Sequence, residues 1–294
     1  MNPQRHQELL CLWRIPHVQQ GDTLWFLNQG VARPWGPACR NYDSGAAQAD
    51  RARAALKAHL AVYTSGFLQD ATTEWYAVVC DRFSDLEAMP SKYRSEVRRA
   101  LRNCQVQRVE PAYLAEHAYG VFAAAVATYT HRTYALPSEA EFRQGMIAQR
   151  DFGDVVHHWG VFHGQRLVGF SQNIVYDQDE VNYSSIKLHP DYLKLYSSYA
   201  LIYCMNQHYL ASGTAYVNDG WRGIQHETHF QDFLIRKFGF RKAYTRLRVR
   251  YTPMLAVGMR LCFPFRTELR SLHPKLNALL RLEEFQRKCV GSGT

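Results

Sequence analysis

The chain has 294 residues, of which 47% are hydrophobic and 21% are charged, a composition typical of a folded globular protein and not of a disordered one. No run of 18 or more apolar residues occurs, so we expect no membrane span. The seven cysteines stand singly without a CxxC pair, which argues against a disulfide framework and a cysteine zinc site. With no recognisable secretory signal, this pattern predicts a cytoplasmic protein.

The formal net charge is +9, and the positive residues are clustered. Residues 236–266 contain nine Lys or Arg and no acidic residue, and residues 92–108 contain six basic residues against Glu96 alone. Such clusters favour a polyanionic or phosphate-bearing partner. A solvated face on a basic protein is the competing interpretation.

The first half of the chain gives mixed signals. Short strands are predicted at LLCLWRI and TLWFLN, a loop at 30–45, a helix at 46–63 and a buried strand at TEWYAVVCD. Three helices follow, beginning at Ser91 as N-cap, at Pro111, and at Ser138 as N-cap with acidic residues in its first turn. The helix after Ser91 carries Arg94, Arg98 and Arg102 four residues apart, which places them on one face.

Residues 155–251 carry the clearest pattern, with the order β-β-β-α-β-α-β. Two strands flank a tight turn at 163–165, and the turn DQDE leads to a third. A long helix is predicted over 191–210, followed by the strand TAYVNDG, a further helix and a strand beginning at FGFRKAYTRLRVRY. Residues 263–294 form a helical tail.

This order resembles the GNAT acyltransferase fold, and RKFGFRKAYTRLRVRY is similar to the family's usual ending. The segment MPSKYRSEVRRALRNCQVQRVE resembles the S-x-x-R-x-x-x-x-R-A-x-x helix of Fem-type aminoacyltransferases. The resemblance covers roughly residues 73–252. It implies an α/β (α+β) fold with a GNAT-like mixed sheet flanked by helices. The implied domains are a divergent Fem-like N-terminal half at 1–152, a C-terminal GNAT domain at 153–262 and the tail at 263–294.

The donor-binding turn departs from the family pattern. Acyl-CoA members have Q/R-x-x-G-x-G/A before the long helix, whereas this chain has Lys194 and then Ser197, Ser198 and Tyr199. Without glycine the backbone cannot approach a phosphate so closely, although the serine hydroxyls can still donate to one. The resemblance leaves three activated carriers open as co-substrates: aminoacyl-tRNA, acyl carrier protein and acyl-CoA. No tightly bound cofactor is expected.

In the GNAT reaction an amine attacks the acyl carbonyl directly, so the site needs a base and donors for the oxyanion, and no covalent nucleophile. Asp219, at the end of the fourth strand, is the candidate base, although N-D-G is also strong turn chemistry. Tyr183 and Ser184 lie on the third strand, where the family places acceptor contacts and sometimes the base. Lys237, before the FGF turn, is the candidate stabiliser of the donor carbonyl; it also suits a helix C-terminus.

Candidate acceptor-binding residues surround Asp219 in sequence. They are Asn218, Trp221, Arg222 and His226. His226 and His229 stand three apart, but the segment is not HExxH and lacks a third ligand, so no metal site is predicted. Thr228 or His229 as a simple helix cap is the alternative.

The sequence therefore predicts an N-acyltransferase that moves an acyl or aminoacyl group from an activated carrier to an amine. The alternative is a catalytically inactive GNAT-derived protein that binds nucleic acid or a phosphorylated ligand. A structural partner in a larger assembly is a third possibility. The oligomeric state is not predicted.

Overall fold

The computed structural model describes residues 2–43, 46–68, 73–129, 135–177, 179–224 and 229–291, with side chains as far as Cys289. The α-helices in this part of the chain are α1 (Pro3–Leu12), α2 (Ala46–Ala55), α3 (Ser91–Asn103), α4 (Pro111–His117), α5 (Tyr119–Ala127), α6 (Glu139–Ile147), α7 (Ser197–Ala211), α8 (His229–Phe238), α9 (Pro253–Cys262), α10 (Arg266–Leu269) and α11 (Pro274–Gly291). Short 3-10 segments are Arg150–Phe152, Pro190–Leu195 and Phe263–Phe265.

The strands form two sheets. They are β1 (His17–Gln20), β2 (Thr23–Asn28), β3 (Val31–Trp35), β4 (Leu60–Thr64), β5 (Tyr76–Cys80), β6 (Gln105–Arg108), β7 (Val156–His163), β8 (Arg166–Tyr176), β9 (Glu180–Leu188), β10 (Tyr216–Trp221), β11 (Arg241–Tyr244) and β12 (Leu247–Tyr251). One sheet has the order β1-β2-β3-β4-β12 and the other the order β11-β5-β10-β9-β8-β7-β6. Both mix parallel and antiparallel pairs. The predicted mixed α/β architecture is confirmed.

The chain divides into two compact units, neither of which is one continuous stretch. The first unit comprises Met1–Arg5, Val79–Asp219 and Leu234–Phe240. The second unit comprises His6–Val78, Gly220–Phe233 and Arg241–Thr294. None of the helices in the described residues is both long enough and apolar enough to cross a membrane.

In the first unit, helices cover both faces of the antiparallel strands β6 to β9. Phe170 packs in an apolar cluster with Leu114 of α4 and Phe142 of α6. The neighbouring Ser171 bonds to Asn173, which donates to the hydroxyl of Tyr209 in α7. Because successive residues of a strand face opposite sides, α4 and α6 lie on one face and α7 on the other. The predicted hairpin between β7 and β8 is confirmed by the pair His163↔Arg166.

In the second unit, the five-stranded sheet is also covered on both faces. One apolar cluster joins Trp25 and Tyr63 to Ala49 and Ala52 of α2. Another joins Leu247 and Val249 of β12 to residues of α11, chiefly Leu282 and Phe285. Tyr63 and Val62 alternate along β4 between these two clusters, as the period of a strand requires.

Several predictions for residues 1–63 were wrong. LLCLWRI lies mostly in α1, where His6, Leu9 and Leu10 are buried together at helical spacing. The Gly- and Pro-rich loop contains β3, which pairs with β2 and β4. The predicted helix over 46–63 ends at Ala55, and Lys57 has a positive φ of 51° before the chain enters β4. In the segments that form β3 and β4, strand pairing outweighs the local secondary-structure propensity.

The later helices are closer to prediction. Ser138 is the N-cap of α6, where its hydroxyl accepts from the Glu141 backbone and Glu141 accepts in return, so the predicted cap is confirmed. The N-cap of α3 is Pro90, with Ser91 as its first helical residue, one position away from the prediction. The helix predicted over 111–129 breaks at Ala118 into α4 and α5.

Candidate functional site

The parallel strands β9 and β10 are paired only at their beginnings. Their register comprises Tyr216↔Glu180, Val217↔Val181 and Asn218↔Asn182. β9 continues to Leu188, yet no further pair joins it to β10 among these strands, all of whose residues are described. A gap therefore opens after the third pair. We call this gap, bounded in the first unit by Tyr183–Leu188 and Asp219, the fork.

A β-bulge marks the start of the fork. The β8–β9 register runs from Gln172↔Ser185 to Ile174↔Asn182, so two residues of β9 lie opposite one residue of β8. The extra residue falls at Tyr183 and Ser184. A bulge bends its strand and interrupts pairing, which explains why β9 turns away from β10 at this point.

A buried carboxylate holds the closed end of the fork together. Glu180, which is 1% exposed, accepts a hydrogen bond from the Asn218 side chain at 3.0 Å and another from the hydroxyl of Tyr216. Asn218 is therefore engaged within the sheet by its side-chain amide. The sequence did not indicate a role for Glu180, because this residue was assigned to the DQDE turn. Only the pairing of β9 with β10 brings it next to Tyr216 and Asn218.

Tyr183 is buried and hydrogen-bonded within the first unit. Its hydroxyl donates to Asn206 of α7 at 2.8 Å, and its side chain is 4% exposed. Burial, with smaller contributions from Tyr209, Cys80 and Asp219, raises its pKa well above the usual value. Tyr183 is therefore neutral at physiological pH and fits a positioning role better than that of a base. Ser184, at the bulge, is exposed, and Asp219 is partly exposed.

The end of β9 leads into the N-terminus of α7 through a turn unlike the continuous helix predicted over 191–210. A 3-10 segment occupies Pro190–Leu195, and α7 begins only at Ser197. Between them Tyr196 has φ 63°, a left-handed conformation that favours glycine. The backbone thus takes a glycine-like shape one residue before Ser197, the residue that the sequence resemblance places at the family's first glycine.

The first turn of α7 has backbone donors without a side-chain cap. Tyr196, as N-cap residue, makes no side-chain hydrogen bond to it. The hydroxyl of Ser197 is buried and has no hydrogen-bond partner in the described part of the chain, whereas Ser198 and Tyr199 are partly exposed and Lys194 is exposed. Free N–H groups at a helix N-terminus favour an anion.

Helix α3 lies against this turn. The guanidinium of Arg99 lies over the ring of Tyr196 at 5.3 Å, and Asn103 donates to the carbonyl of Leu195 at 3.4 Å. Two of the three arginines predicted on one face of α3 form ion pairs with Glu87 instead, Arg94 at 3.2 Å and Arg98 at 2.7 Å. Arg99 is the second arginine of the Fem-like motif. It was not part of the predicted face of Arg94, Arg98 and Arg102, because it does not share their four-residue spacing.

Lys237 joins this region from α8. Its ammonium lies 2.8 Å from Glu96 of α3 and over the ring of Tyr93 at 4.1 Å. It also lies 5.7 Å from the ring centre of Tyr199. Burial lowers the pKa of Lys237, but the hydrogen bond and charge of Glu96, with Tyr199, outweigh it and raise that pKa overall. The structure thus brings together two predicted site residues, Lys237 and Tyr199.

Two other predicted residues pack in the second unit. Trp221 stacks on Trp75 with ring centres 6.3 Å apart and an interplanar angle of 19°. Arg222 donates to the carbonyl of Glu74 at 2.7 Å and lies over the ring of Phe285 at 4.5 Å. His226 lies outside the described residues.

A buried polar network under α7 was not predicted. The hydroxyl of Tyr209 accepts from Trp159 at 2.8 Å and from Asn173 at 3.2 Å, and it contacts Nδ1 of His157 at 3.1 Å. Burial, and then the charge of Arg108, lower the pKa of His157 to about 3. The three strand residues stand on β7 and β8, so only the folded sheet reveals the cluster.

No protein-family model matches the chain, and no curated protein matches its sequence. Solved structures do match. The C-terminal domain (DUF2156) of a putative lysylphosphatidylglycerol synthetase from Agrobacterium fabrum aligns with a TM-score of 0.57 and 14% identity, over 88% of this chain and 91% of that one. FemX aligns with a TM-score of 0.55 and 9% identity, over 87% and 92%.

A conserved protein of unknown function from Bacteroides thetaiotaomicron is also similar, with a TM-score of 0.52 and 12% identity over 83% of this chain and 89% of that one. At these identities the likeness concerns the fold. The alignments extend over both units, as the resemblance of the first half to Fem-type proteins predicted. The chain has a GNAT-like fold of the Fem type.

Proposed function

We propose that the protein is an N-acyltransferase, in which an amine attacks the carbonyl of an acyl or aminoacyl group held on an activated carrier. The observation that supports this most is the fork, where β9 and β10 separate after Asn182 and Asn218. The gap leads into the N-terminus of α7, which has no side-chain cap. An anionic carrier could bind at the helix N-terminus, and its acyl chain could bind in the adjacent gap.

The carrier would bind at the first turn of α7. Its phosphate groups would accept from the free backbone N–H groups there, with Ser198 and Tyr199 partly exposed on the same turn and Lys194 exposed just before it. Arg99 lies over Tyr196 and adds positive charge. Ser197 would contribute its hydroxyl only if the bound carrier reaches below the surface, because that hydroxyl is buried.

Aminoacyl-tRNA, acyl carrier protein and acyl-CoA all present phosphate to such a turn. The sequence resemblance to Fem-type aminoacyltransferases, whose motif includes Arg99, favours an aminoacyl-tRNA. Ser197, in place of the family's first glycine, keeps the backbone farther from a pyrophosphate than a glycine would. We therefore place aminoacyl-tRNA and acyl carrier protein ahead of acyl-CoA.

In the proposed reaction, Asp219 takes a proton from the attacking amine, whose lone pair forms the new C–N bond. The carbonyl oxygen becomes an oxyanion, which collapses and expels the carrier either as a thiolate or as a ribose oxygen that takes the proton from Asp219. Ser184, exposed at the bulge, would contact the acceptor. Asn218 would support the site through Glu180, and Lys237 would act on the donor carbonyl from its place beside Tyr199.

Trp221, Arg222 and His226 remain proposed acceptor contacts. Trp221 and Arg222 pack against aromatic rings of the second unit.

The test is a donor panel. Purified full-length protein is mixed with a labelled aminoacyl-tRNA set, acylated carrier protein or acyl-CoA, and with an amine panel that includes polyamines, amino sugars and aminoacyl lipids. Release of free tRNA or thiol is followed together with amide product. We expect one donor class to react only when an amine is present. Tight binding of a donor with no product for any amine would favour the alternative, a GNAT-derived binding protein.

A further inference from the structure

Helix α9 and the residues after it expose an apolar surface. The exposed fractions are 82% for Met254, 57% for Val257, 68% for Leu261, 63% for Phe265 and 70% for Leu272. In the described part of the chain, eight large hydrophobic side chains are exposed, and these five are more exposed than the other three. Contiguous exposed apolar surface marks an interaction site more often than scattered single residues do.

The surface is one side of an amphipathic helix. Met254, Val257 and Leu261 recur at i, i+3 and i+7, which puts them on one face of α9. The other face is already in use, because Met259 is 3% exposed and Leu255 packs against the cluster of β12 and α11. We call Met254, Val257, Leu261 and Phe265 the apolar stripe. Neither of the two apolar clusters described above for the second unit includes a side chain of the apolar stripe.

Positive charge borders the apolar stripe. Residues 241–267 contain no acidic side chain. Beside α9 lies a cavity of about 510 Å³ whose lining includes the arginines 53, 250, 260 and 287 and two acids, Asp50 and Glu283. Arg250 pairs with Asp50 at 2.7 Å and Arg287 with Glu283 at 2.7 Å. Arg260 is exposed and has no hydrogen-bond or ion-pair partner within the described residues.

We propose that this face docks on an anionic lipid bilayer, with the apolar stripe in the headgroup region and Arg260 at the lipid phosphates. A helix with an apolar face, a cationic border and no acidic residue is the usual form of such a contact. A second copy of the chain is a poorer occupant, because a two-fold contact would bring the arginine borders of both copies together. The inference does not depend on acyl transfer.

The test uses the full-length protein and vesicle flotation. Vesicles contain either phosphatidylcholine alone or phosphatidylcholine with 30% phosphatidylglycerol. We expect flotation with the anionic vesicles only, and weaker flotation at high salt. Val257→Glu and Leu261→Glu should each reduce the partition at least tenfold. The matched control is Ile147→Glu, an exposed apolar residue of α6 in the first unit, which should leave the partition unchanged.

Arg260→Gln should weaken partition about fivefold, the factor for one arginine near an anionic surface. Circular dichroism establishes that each variant is folded. The inference is overturned if wild-type protein floats with neither vesicle, or if Ile147→Glu weakens partition as much as Val257→Glu does. It is also overturned if light scattering shows a dimer that Val257→Glu dissociates while vesicle binding is absent. None of these outcomes bears on the donor panel.

Discussion

Asn182 and Asn218 form the last register pair between the parallel strands β9 and β10. The bulge at the next residues of β9 makes this separation a property of the backbone. Asn218 also donates to the buried Glu180, which fixes the paired end. The fork therefore has a paired end, held by Glu180, and an open end where the bulge bends β9.

Asp219→Asn tests the proposed base. The amide cannot accept the proton of the attacking amine, so we expect kcat to fall about 100-fold or more. The fold should be unchanged, since Asp219 is partly exposed and asparagine has the same shape. Steady-state rates with the donor found by the panel, together with a thermal melt, provide the measurement. Unaltered turnover would remove Asp219 from the mechanism.

Tyr209→Phe tests the buried network under α7. The substitution leaves the indole N–H of Trp159 and the amide of Asn173 without the oxygen that accepts from them. We expect the free energy of unfolding to fall by about 1–3 kcal/mol, the cost of buried donors left unpaired. Urea unfolding measures it. Tyr244→Phe is the control, because this partly exposed tyrosine has no hydrogen bond from its hydroxyl among the described residues.

His158 should make the protein sensitive to acid. Burial, and then the charge of Arg108, lower its pKa to about 4, and its side chain is 2% exposed. A histidine whose pKa is depressed in the folded state binds protons first in the unfolded state, so stability falls as pH drops from about 6.5 towards 4. The loss from this residue is about 3 kcal/mol at most.

Urea unfolding at several pH values measures that dependence. In His158→Gln the slope between pH 6.5 and 4 should be shallower than in wild type. His117→Gln, which changes a half-exposed histidine, is the matched control and should keep the wild-type slope. Equal slopes in all three proteins would contradict a buried neutral His158.

The pair of Lys237 and Glu96 should contribute to stability in neutral solution. Because Glu96 outweighs the effect of burial, the pKa of Lys237 is raised. The contribution is thus fully present below the unfolded lysine pKa, about 10.4, and is lost as pH rises through the higher folded value. A double-mutant cycle with Lys237→Met and Glu96→Gln should give a coupling of about 1 kcal/mol at pH 7. A coupling near zero would show that the two charges do not interact.

The sequence predicted correctly those elements that depend on interactions between neighbouring residues. The β7–β8 hairpin follows from a tight turn between alternating strands, and the cap at Ser138 follows from a serine three residues before Glu141. The β3 strand could not be read in this way, because its Gly- and Pro-rich segment is ordered by pairing with β2 and β4.

The candidate site was predictable only in part. The likeness to GNAT and Fem-type proteins indicated the strand carrying Asp219 and the turn before α7. Glu180 gave no local signal, because it acquires its partners only when β9 pairs with β10. Arg99 stands in the Fem-like motif, but its contact with Tyr196 joins segments that are distant in the sequence. The left-handed Tyr196 was also hidden, since a tyrosine is an unusual residue for that conformation.

The carrier is proposed to bind at the first turn of α7, with the acyl group entering the fork. Hydrogen–deuterium exchange with and without the donor that is turned over measures both contacts in one experiment. We predict slower exchange in residues 183–188 and 197–200, with no change in α2. A donor that is consumed while exchange in those segments stays the same would contradict the account.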